Sequence, residues 1–407
     1  MDLHSGLPYW IIRNSLWDYF HPLEKDLSTD VVIVGSGITG ALMAHELCRA
    51  GIKCCIVDKR SIATGSSAAS TALLQYEIDV PLCRMAHIIG EENAATAYHA
   101  CLQSISDIKK VLEETGVNPG FEQLPSLFYA SSPADNKLLE QEYEIRQKHK
   151  LPVSLLKKKE IREEYKVKTP GNALINEASA QLDAYRAATG LLAYHIKESG
   201  LKVFTHTAIK ECTETSGGCI MTTDRGDKIK CGYVIIATGF EAGQFLPQKI
   251  MELTSTYALI SHPVASEHLW PTHCLIWETA DPYLYIRTTD KNRIIVGGED
   301  EKFSDPQCRD SLLRKKTRIL EKKVRKLLPD LPFETEMVWC GTFSTTKDGL
   351  PFIGNWPDKE RMFFNLGYGG NGITFSMIGA QIICRQLQGM KDERSGIFGY
   401  ERIEKYW

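Results

Sequence analysis

Residues 30–58, DVVIVGSGITGALMAHELCRAGIKCCIVD, decide the fold. Val31 to Val34 form an unbroken apolar run, as suits a strand buried on both faces of a parallel sheet. Gly35, Gly37 and Gly40 follow directly as G-x-G-x-x-G, with Ile38 and Thr39 between the last two. Gly35 permits a sharp turn, Gly37 lets backbone approach a pyrophosphate, and Gly40 lets the next helix pack close to the strand. Residues 41–50 read as that helix, with Gly51 as its stop, and residues 53–57 as the second strand. Asp58 ends the second strand, 23 positions after Gly35, where a carboxylate can accept both hydroxyls of a ribose. The unpaired N–H groups and positive dipole end of the helix face the phosphates. Strand, helix, second strand and terminal acid in register make this a dinucleotide site.

Bulk properties narrow the remaining classes. The chain has 407 residues, enough for two domains or one composite one, with an ordinary 43% hydrophobic and 24% charged content. Its net charge of −3 lacks the basic surplus of a nucleic-acid binder. No apolar run approaches the roughly 18 residues that span a bilayer. The N-terminus has neither the basic start nor the long apolar stretch of a signal peptide. The twelve cysteines contain no C-x-x-C pair and read as scattered reduced thiols, so a cytoplasmic protein without a metal site is expected.

Outward from the opening stretch, residues 1–28 read as an aromatic-rich arm packed on the domain surface. Small and hydroxyl residues dominate from Thr64 to Thr71, where a second cofactor contact is expected. A helix begins at Glu91 and stops at Gly116, and residues 134–149 read as a polar, exposed helix. Asp183 opens another helix; strands follow near 201–204, 219–223 and 228–231, then a buried strand from Tyr233 ends in Ala237-Thr238-Gly239. Antiparallel strands are expected at 257–260, 283–288 and 293–297, and a helix at about 306–328 whose Lys and Arg run is a solvated face. Residues 362–387 repeat the strand–glycine–helix pattern and aim a second positive helix end at a ligand.

With these stretches placed, the chain resembles the FAD-dependent amino-acid and amine oxidoreductase family, the group of D-amino-acid oxidase, glycine oxidase and sarcosine oxidase. The resemblance covers nearly everything from Thr29 and rests on DVVIVGSGITG, VDKRSIATGSS, VIIATG, YIRTTDKNRIIVGG, W-x-G with KDGLPFIG, and GYGGNGIT. The arm SLWDYFHPLEKD and the GTF of WCGTF look most like the γ-glutamylputrescine oxidoreductase branch.

The resemblance implies α/β and α+β architecture: a Rossmann-like FAD-binding domain (29–85, 170–250 and 340–390) interleaved with an antiparallel-sheet substrate domain (86–169 and 251–339). Residues 391–407 are left as a C-terminal tail. It implies that Gly35, Gly37, Ile38, Thr39 and Gly40 hold the pyrophosphate and Asp58 the adenosine ribose. Lys59, Gly65, Ser66 and Ser67 would line the phosphate and flavin side, Ala208, Ala237 and Gly239 the adenosine. Gly369, Gly370, Asn371, Gly372 and Ile373 would lie by the flavin's pyrimidine end. Tyr257, Trp277, Tyr285, Arg287, Phe343 and Tyr368 are the pocket candidates, with Arg287 holding a carboxylate.

The arginine that follows W-x-G in members binding an α-carboxylate falls on Phe343, and the oxygen-activating lysine of sarcosine oxidase falls near Ile295. Neither a histidine in the Gly65 to Thr71 loop nor a cysteine at the covalent position is present, so non-covalent FAD is implied. The implied activity is oxidation of a C–N bond in a small amine or amino-acid derivative by hydride transfer to flavin N5, with imine hydrolysis. The electron acceptor, oxygen or another carrier, stays open. A 2-hydroxy-acid oxidoreductase, or a flavin-binding subunit of a larger dehydrogenase, are the alternatives.

Overall fold

In the computed structural model the described residues are 2–17, 19–246 and 248–406. Met1, Asp18, Pro247 and Trp407, which belong to the expected arm, cofactor segment and tail, lie outside them. Two sheets organise these residues. The first has the order Phe352–Trp356, Lys359–Leu366, Lys228–Ile236, Leu27–Val34, Cys54–Val57, Lys202–Phe204, parallel except at the Phe352–Trp356 edge. Val31–Val34 are buried, as a central parallel strand with helices on its faces requires.

The helices Ile38–Arg49, Ala184–Glu198, Gly372–Leu387 and Glu91–Thr115 pack against one another over this sheet. The expected strands at 228–231 and 233–239 are one strand, Lys228–Ile236, running through Gly232. Its first half pairs antiparallel with Gly218–Thr223 and its second half parallel with Lys359–Leu366, so the change of partner, not a break in backbone, produced the change in pattern.

The second sheet runs Thr335–Thr345, Glu252–Ser261, Ile294–Glu301, Tyr285–Thr288, Leu275–Glu278, Glu122–Tyr129, Ala173–Gln181, Leu73–Leu74. Leu73–Leu74 and Ala173–Gln181 fall within stretches assigned to the cofactor segments, yet both pair in this sheet. The strand Thr335–Thr345 likewise runs across the boundary placed at 339–340.

Three surface readings change. The segment 134–149 is a short 3-10 turn followed by the helix Asn136–Lys148, and it is not simply exposed: Leu139, Glu142 and Arg146 are buried. Arg146 donates to Glu142 at 2.8 Å and to Glu77 at 3.2 Å, and two N–H groups of residues 82 and 83 also reach the Glu142 carboxylate. The expected helix at 306–328 is two, Pro306–Ser311 and Leu313–Leu327. Its basic run is only partly solvated, because Arg309 is buried and Lys316 is buried between Glu299 and Glu301.

The N-terminal arm does more than lie on a surface. Trp10, in the helix Tyr9–Asn14, is 1% exposed and donates to the Ser70 carbonyl at 2.7 Å. Residues 3–5 continue along Thr335–Thr345: Thr342 N donates to Leu3 O at 2.8 Å and Ser5 N to Cys340 O at 2.9 Å. Among the described residues no helix is long and apolar enough to cross a membrane.

Candidate active site

One cavity of about 390 Å³ runs between the two sheets. At one end lie Gly35, Gly37, Ile38, Thr39, Asp58 and Lys59; at the other lie Tyr283, Tyr285, Asp300, Phe343 and Tyr368.

The first end is built by glycine. Gly35 has φ +114, and a Cβ there would lie 2.4 Å from the Ala237 carbonyl oxygen, so only glycine lets the two parallel strands end side by side. A Cβ on Gly40 would lie 2.0 Å from Gly35 O, which is the close helix–strand approach; Gly40 sits behind the cavity wall and does not line it. Backbone at Gly37 is bare towards the cavity, with Ser67 Oγ 2.9 Å from where a Cβ would stand. Asp58 accepts from Ser36 N at 2.7 Å, Ser36 Oγ at 2.6 Å and Arg60 N at 2.8 Å, which fixes the carboxylate at the strand end.

Gly65, Ser66 and Ser67 line the same end, and the Ser67 hydroxyl accepts from Ile38 N at 2.9 Å. Ala208, Ala237 and Gly239 line it from the other side. Lys59 also borders the cavity, but its ammonium pairs with Glu241 at 2.8 Å, as Arg60 does at 2.7 Å. Burial pushes the Glu241 carboxyl up, and the hydrogen bonds from Arg60 and Lys59 overcome it and hold it at about 2.

The helix Gly372–Leu387 begins at the opposite end. Gly369, Gly370, Gly372 and Ile373 line the cavity, so the helix's unpaired N–H groups and positive dipole end are presented to it. The Asn371 side chain turns away and donates to the carbonyls of Gln75 (3.2 Å) and Glu77 (2.8 Å), anchoring the loop rather than facing the cavity.

Of the pocket candidates, Tyr285, Phe343 and Tyr368 line the cavity. Tyr285 lies across its cross-strand neighbour Gly297, where a Cβ would meet the ring at 2.2 Å. The Tyr368 hydroxyl donates to the Asn365 carbonyl, so this residue offers a ring wall and not a free hydroxyl. Tyr257 does not line the cavity. On Glu252–Ser261 the cavity-facing residues are Thr256 and Ala258, and strand alternation turns Tyr257 to the opposite face, under the ammonium of Lys316 at 5.6 Å.

Arg287 does not line the cavity either. It is buried and donates to four backbone carbonyls, those of Thr288 (3.0 Å), Thr71 (2.9 Å), Ala72 (2.8 Å) and Leu182 (2.9 Å), with its guanidinium carbon 5.5 Å from the Trp10 ring centre. It ties the 71–72 loop to the second sheet and holds no carboxylate. Trp277 is core, stacked on Phe128 at 3.9 Å.

Sequence reading missed two carboxylates. Asp79 accepts from Gly370 N at 2.7 Å and from the Tyr283 hydroxyl at 3.0 Å, joining the second glycine loop to the hairpin before Tyr285. Asp300 lines the cavity on Ile294–Glu301, two residues beyond the quoted IIVGG, and its buried Oδ1 has no hydrogen-bond partner among the described residues. Burial pushes the Asp300 carboxyl up to about 7; Asp79 and Asp281 add to this, while the Thr256 hydroxyl and Lys316 oppose it. Burial raises Asp79 as well. The signal available in the sequence was an acid following a strand of small residues, which by itself names no partner.

A separate group on the surface, Glu91, Glu92 and His149, has metal-ligand spacing, but Lys148 and His149 already hold Glu91 at 2.6 and 2.7 Å.

Comparison with known proteins agrees with this geometry. Glycine oxidase from Geobacillus kaustophilus is 24% identical over 375 residues, covering 87% of this chain and 92% of that protein. Gamma-glutamylputrescine oxidoreductase from Escherichia coli (strain K12) is 22% identical over 394 residues, 94% of this chain and 88% of that protein. The crystal structure of L-proline dehydrogenase from P. horikoshii superposes with a TM-score of 0.76 at 20% identity, covering 93% of this chain and 99% of the other. The family model DAO, FAD dependent oxidoreductase, matches residues 30–386, and the chain is a member of that family and an FAD-dependent oxidoreductase.

Proposed function

We propose that this protein oxidises the C–N bond of a small amine or amino-acid derivative. The observation that carries the reading is a continuous cavity with a dinucleotide cradle at one end and an aromatic chamber at the other. Tyr283, Tyr285, Phe343, Tyr368, Asp300 and Thr256 line that chamber, and the basic residues among the described cavity lining, Lys59 and Arg60, stand at the other end. The bare backbone at Gly35 and Gly37, the fixed Asp58 carboxylate and the second helix end at Gly372 fit FAD. When bound, FAD supplies the two-electron acceptor.

Gly35, Gly37, Ile38 and Thr39 would hold its pyrophosphate and Asp58 its ribose. Gly65, Ser66, Ser67 and Lys59 would line its phosphate and ring side, and Ala208, Ala237 and Gly239 its adenosine. The helix end at Gly369 to Ile373 would favour negative charge on a reduced ring. Tyr285, Phe343 and Tyr368 enclose the substrate and exclude water. The substrate carbon loses a hydride and its nitrogen a proton, leaving a C=N bond; water then adds, and carbonyl and amine separate. Oxygen or another carrier takes the two electrons onward.

Cys340 is buried, lies off the cavity and donates to Asp310 at 3.2 Å, which supports non-covalent FAD. Acid precipitation of the purified yellow protein should leave the flavin in the supernatant; flavin retained in the pellet contradicts this. Anaerobic titration with amines, amino acids and 2-hydroxy acids tests the reaction class. Bleaching by amines or amino acids supports C–N oxidation, and bleaching by hydroxy acids alone sinks it.

A further inference from the structure

The substrate chamber is unusual in its charge. An enzyme that binds an amino acid needs a cation for the carboxylate, and the two expected sources are absent from the chamber: Phe343 occupies one position and Arg287 is engaged with backbone. A carboxylate stands there instead. Asp300 lines the chamber, its Oδ1 without a hydrogen-bond partner among the described residues, and Asp79, outside the lining, is held behind it by Gly370 N. Tyr283 and Tyr285 stand beside them with ring centres 5.7 Å apart. Lys316, whose charge reaches Asp300, lies on the far face of the strand and is paired with Glu299 at 3.5 Å and Glu301 at 2.7 Å.

A largely buried carboxylate with no cation beside it is costly to maintain, and an ammonium group that donates to the carboxylate from the cavity lowers that cost. Aromatic faces beside it add to the attraction for a cation. Asp79 is already satisfied by Gly370 N and Tyr283, whereas Asp300 has only the Thr256 hydroxyl beside it and keeps acceptor capacity open.

We propose that Asp300, backed by Asp79 and walled by Tyr283 and Tyr285, binds a second, non-reacting ammonium group of the substrate, so that the substrate class is a diamine. This rests on the C–N oxidation reading and narrows it. A monoamine leaves Asp300 without its donor once the reacting nitrogen is placed against the flavin. An ω-amino acid sets a carboxylate against the Asp300 carboxylate.

The test is anaerobic flavin bleaching by α,ω-diamines of three to five carbons, by n-alkylamines of the same lengths and by the matching ω-amino acids. The expected result is half-saturation by the diamine at a concentration about tenfold or more below that of the monoamine, the size of one charge-assisted hydrogen bond. The ω-amino acid should be the weakest. Asp300→Asn should bring the diamine-to-monoamine ratio towards one, and Asp300→Glu should keep a preference. Flavin content per chain establishes that each variant has folded. Monoamines or ω-amino acids equalling the diamine, or an unchanged ratio in Asp300→Asn, would overturn the assignment.

Equilibrium titration of the oxidised holoenzyme with butane-1,4-diamine, followed by calorimetry, separates this inference from the broader reading. If no amine bleaches the flavin, C–N oxidation fails. Diamine binding that Asp300→Asn abolishes would still support the subsite, and equal binding by wild type and variant, or none by either, would refute it.

Discussion

At the scale of single residues, Asp300 shows how a binding group opposes stability. Its folded pKa, raised by burial to about 7, lies above the ordinary aspartate value of about 3.9. Between those values the folded chain holds a proton that the unfolded chain has released, so stability falls as pH rises through this window and stays lower above it. The groups facing it are Asp79, Asp281, Tyr283, Tyr285, Thr256 and Lys316, the last paired with Glu299 and Glu301; Asp79 and Asp281 act in the same direction as burial, and Lys316 and the Thr256 hydroxyl oppose it. Asp300→Asn should therefore be more stable than wild type at pH 8, by on the order of 1 kcal/mol, and melt higher, while near pH 4 the two should be close. Thermal unfolding of the cofactor-free proteins across this range checks the prediction. A variant that is less stable at pH 8 would show that the carboxylate has a partner in solution.

At the scale of elements, two buried arginines act as structural ties. Arg287 joins its strand to the 71–72 loop and to Leu182, and Trp10 from the arm helix covers it. Arg287→Ala strands these carbonyls in a buried space and should cost roughly 2–4 kcal/mol in denaturant unfolding. The ratio of amine to amino-acid turnover should not move; a selective loss of amino-acid turnover would restore Arg287 as a carboxylate anchor. Arg146 sits between Glu142 and Glu77, each essentially inaccessible to water. Arg146→Met leaves both carboxylates without their cation, for an expected loss of roughly 3–5 kcal/mol. Burial already raises the Glu77 pKa, so mild acid, which neutralises it, should recover part of that loss. A loss that is constant with pH would mean the cost is packing alone.

At the scale of the whole molecule, the cavity lies between two sheets, and strands from one part of the sequence are exchanged into the other. Leu73–Leu74 and Thr335–Thr345 pair in the second sheet while Leu73, Trp339 and Gly341 to Phe343 on these same strands line the cavity. A ligand that bridges both sheets stabilises both together. Added FAD should raise the melting temperature of the cofactor-free chain as its concentration rises, the stabilisation reaching about 2.7 kcal/mol at 100 times Kd. A two-step melt in which FAD shifts only one transition would show that the sheets unfold separately.

The local chemistry of the chain determined a great deal by itself. Val31–Val34, three glycines at fixed spacing and Asp58 specify a parallel strand, a tight turn and a helix end, because each depends only on neighbours in sequence. The second glycine loop at 367–372 was legible for the same reason. Tertiary structure decided the substrate end. Strand parity took Tyr257 out of the cavity, backbone carbonyls from two distant segments claimed Arg287, and folding brought Asp79 to Gly370 across 291 positions of chain. Such pairings leave no local pattern, since a carboxylate or guanidinium reads the same in sequence whether it faces a ligand, a carbonyl or water.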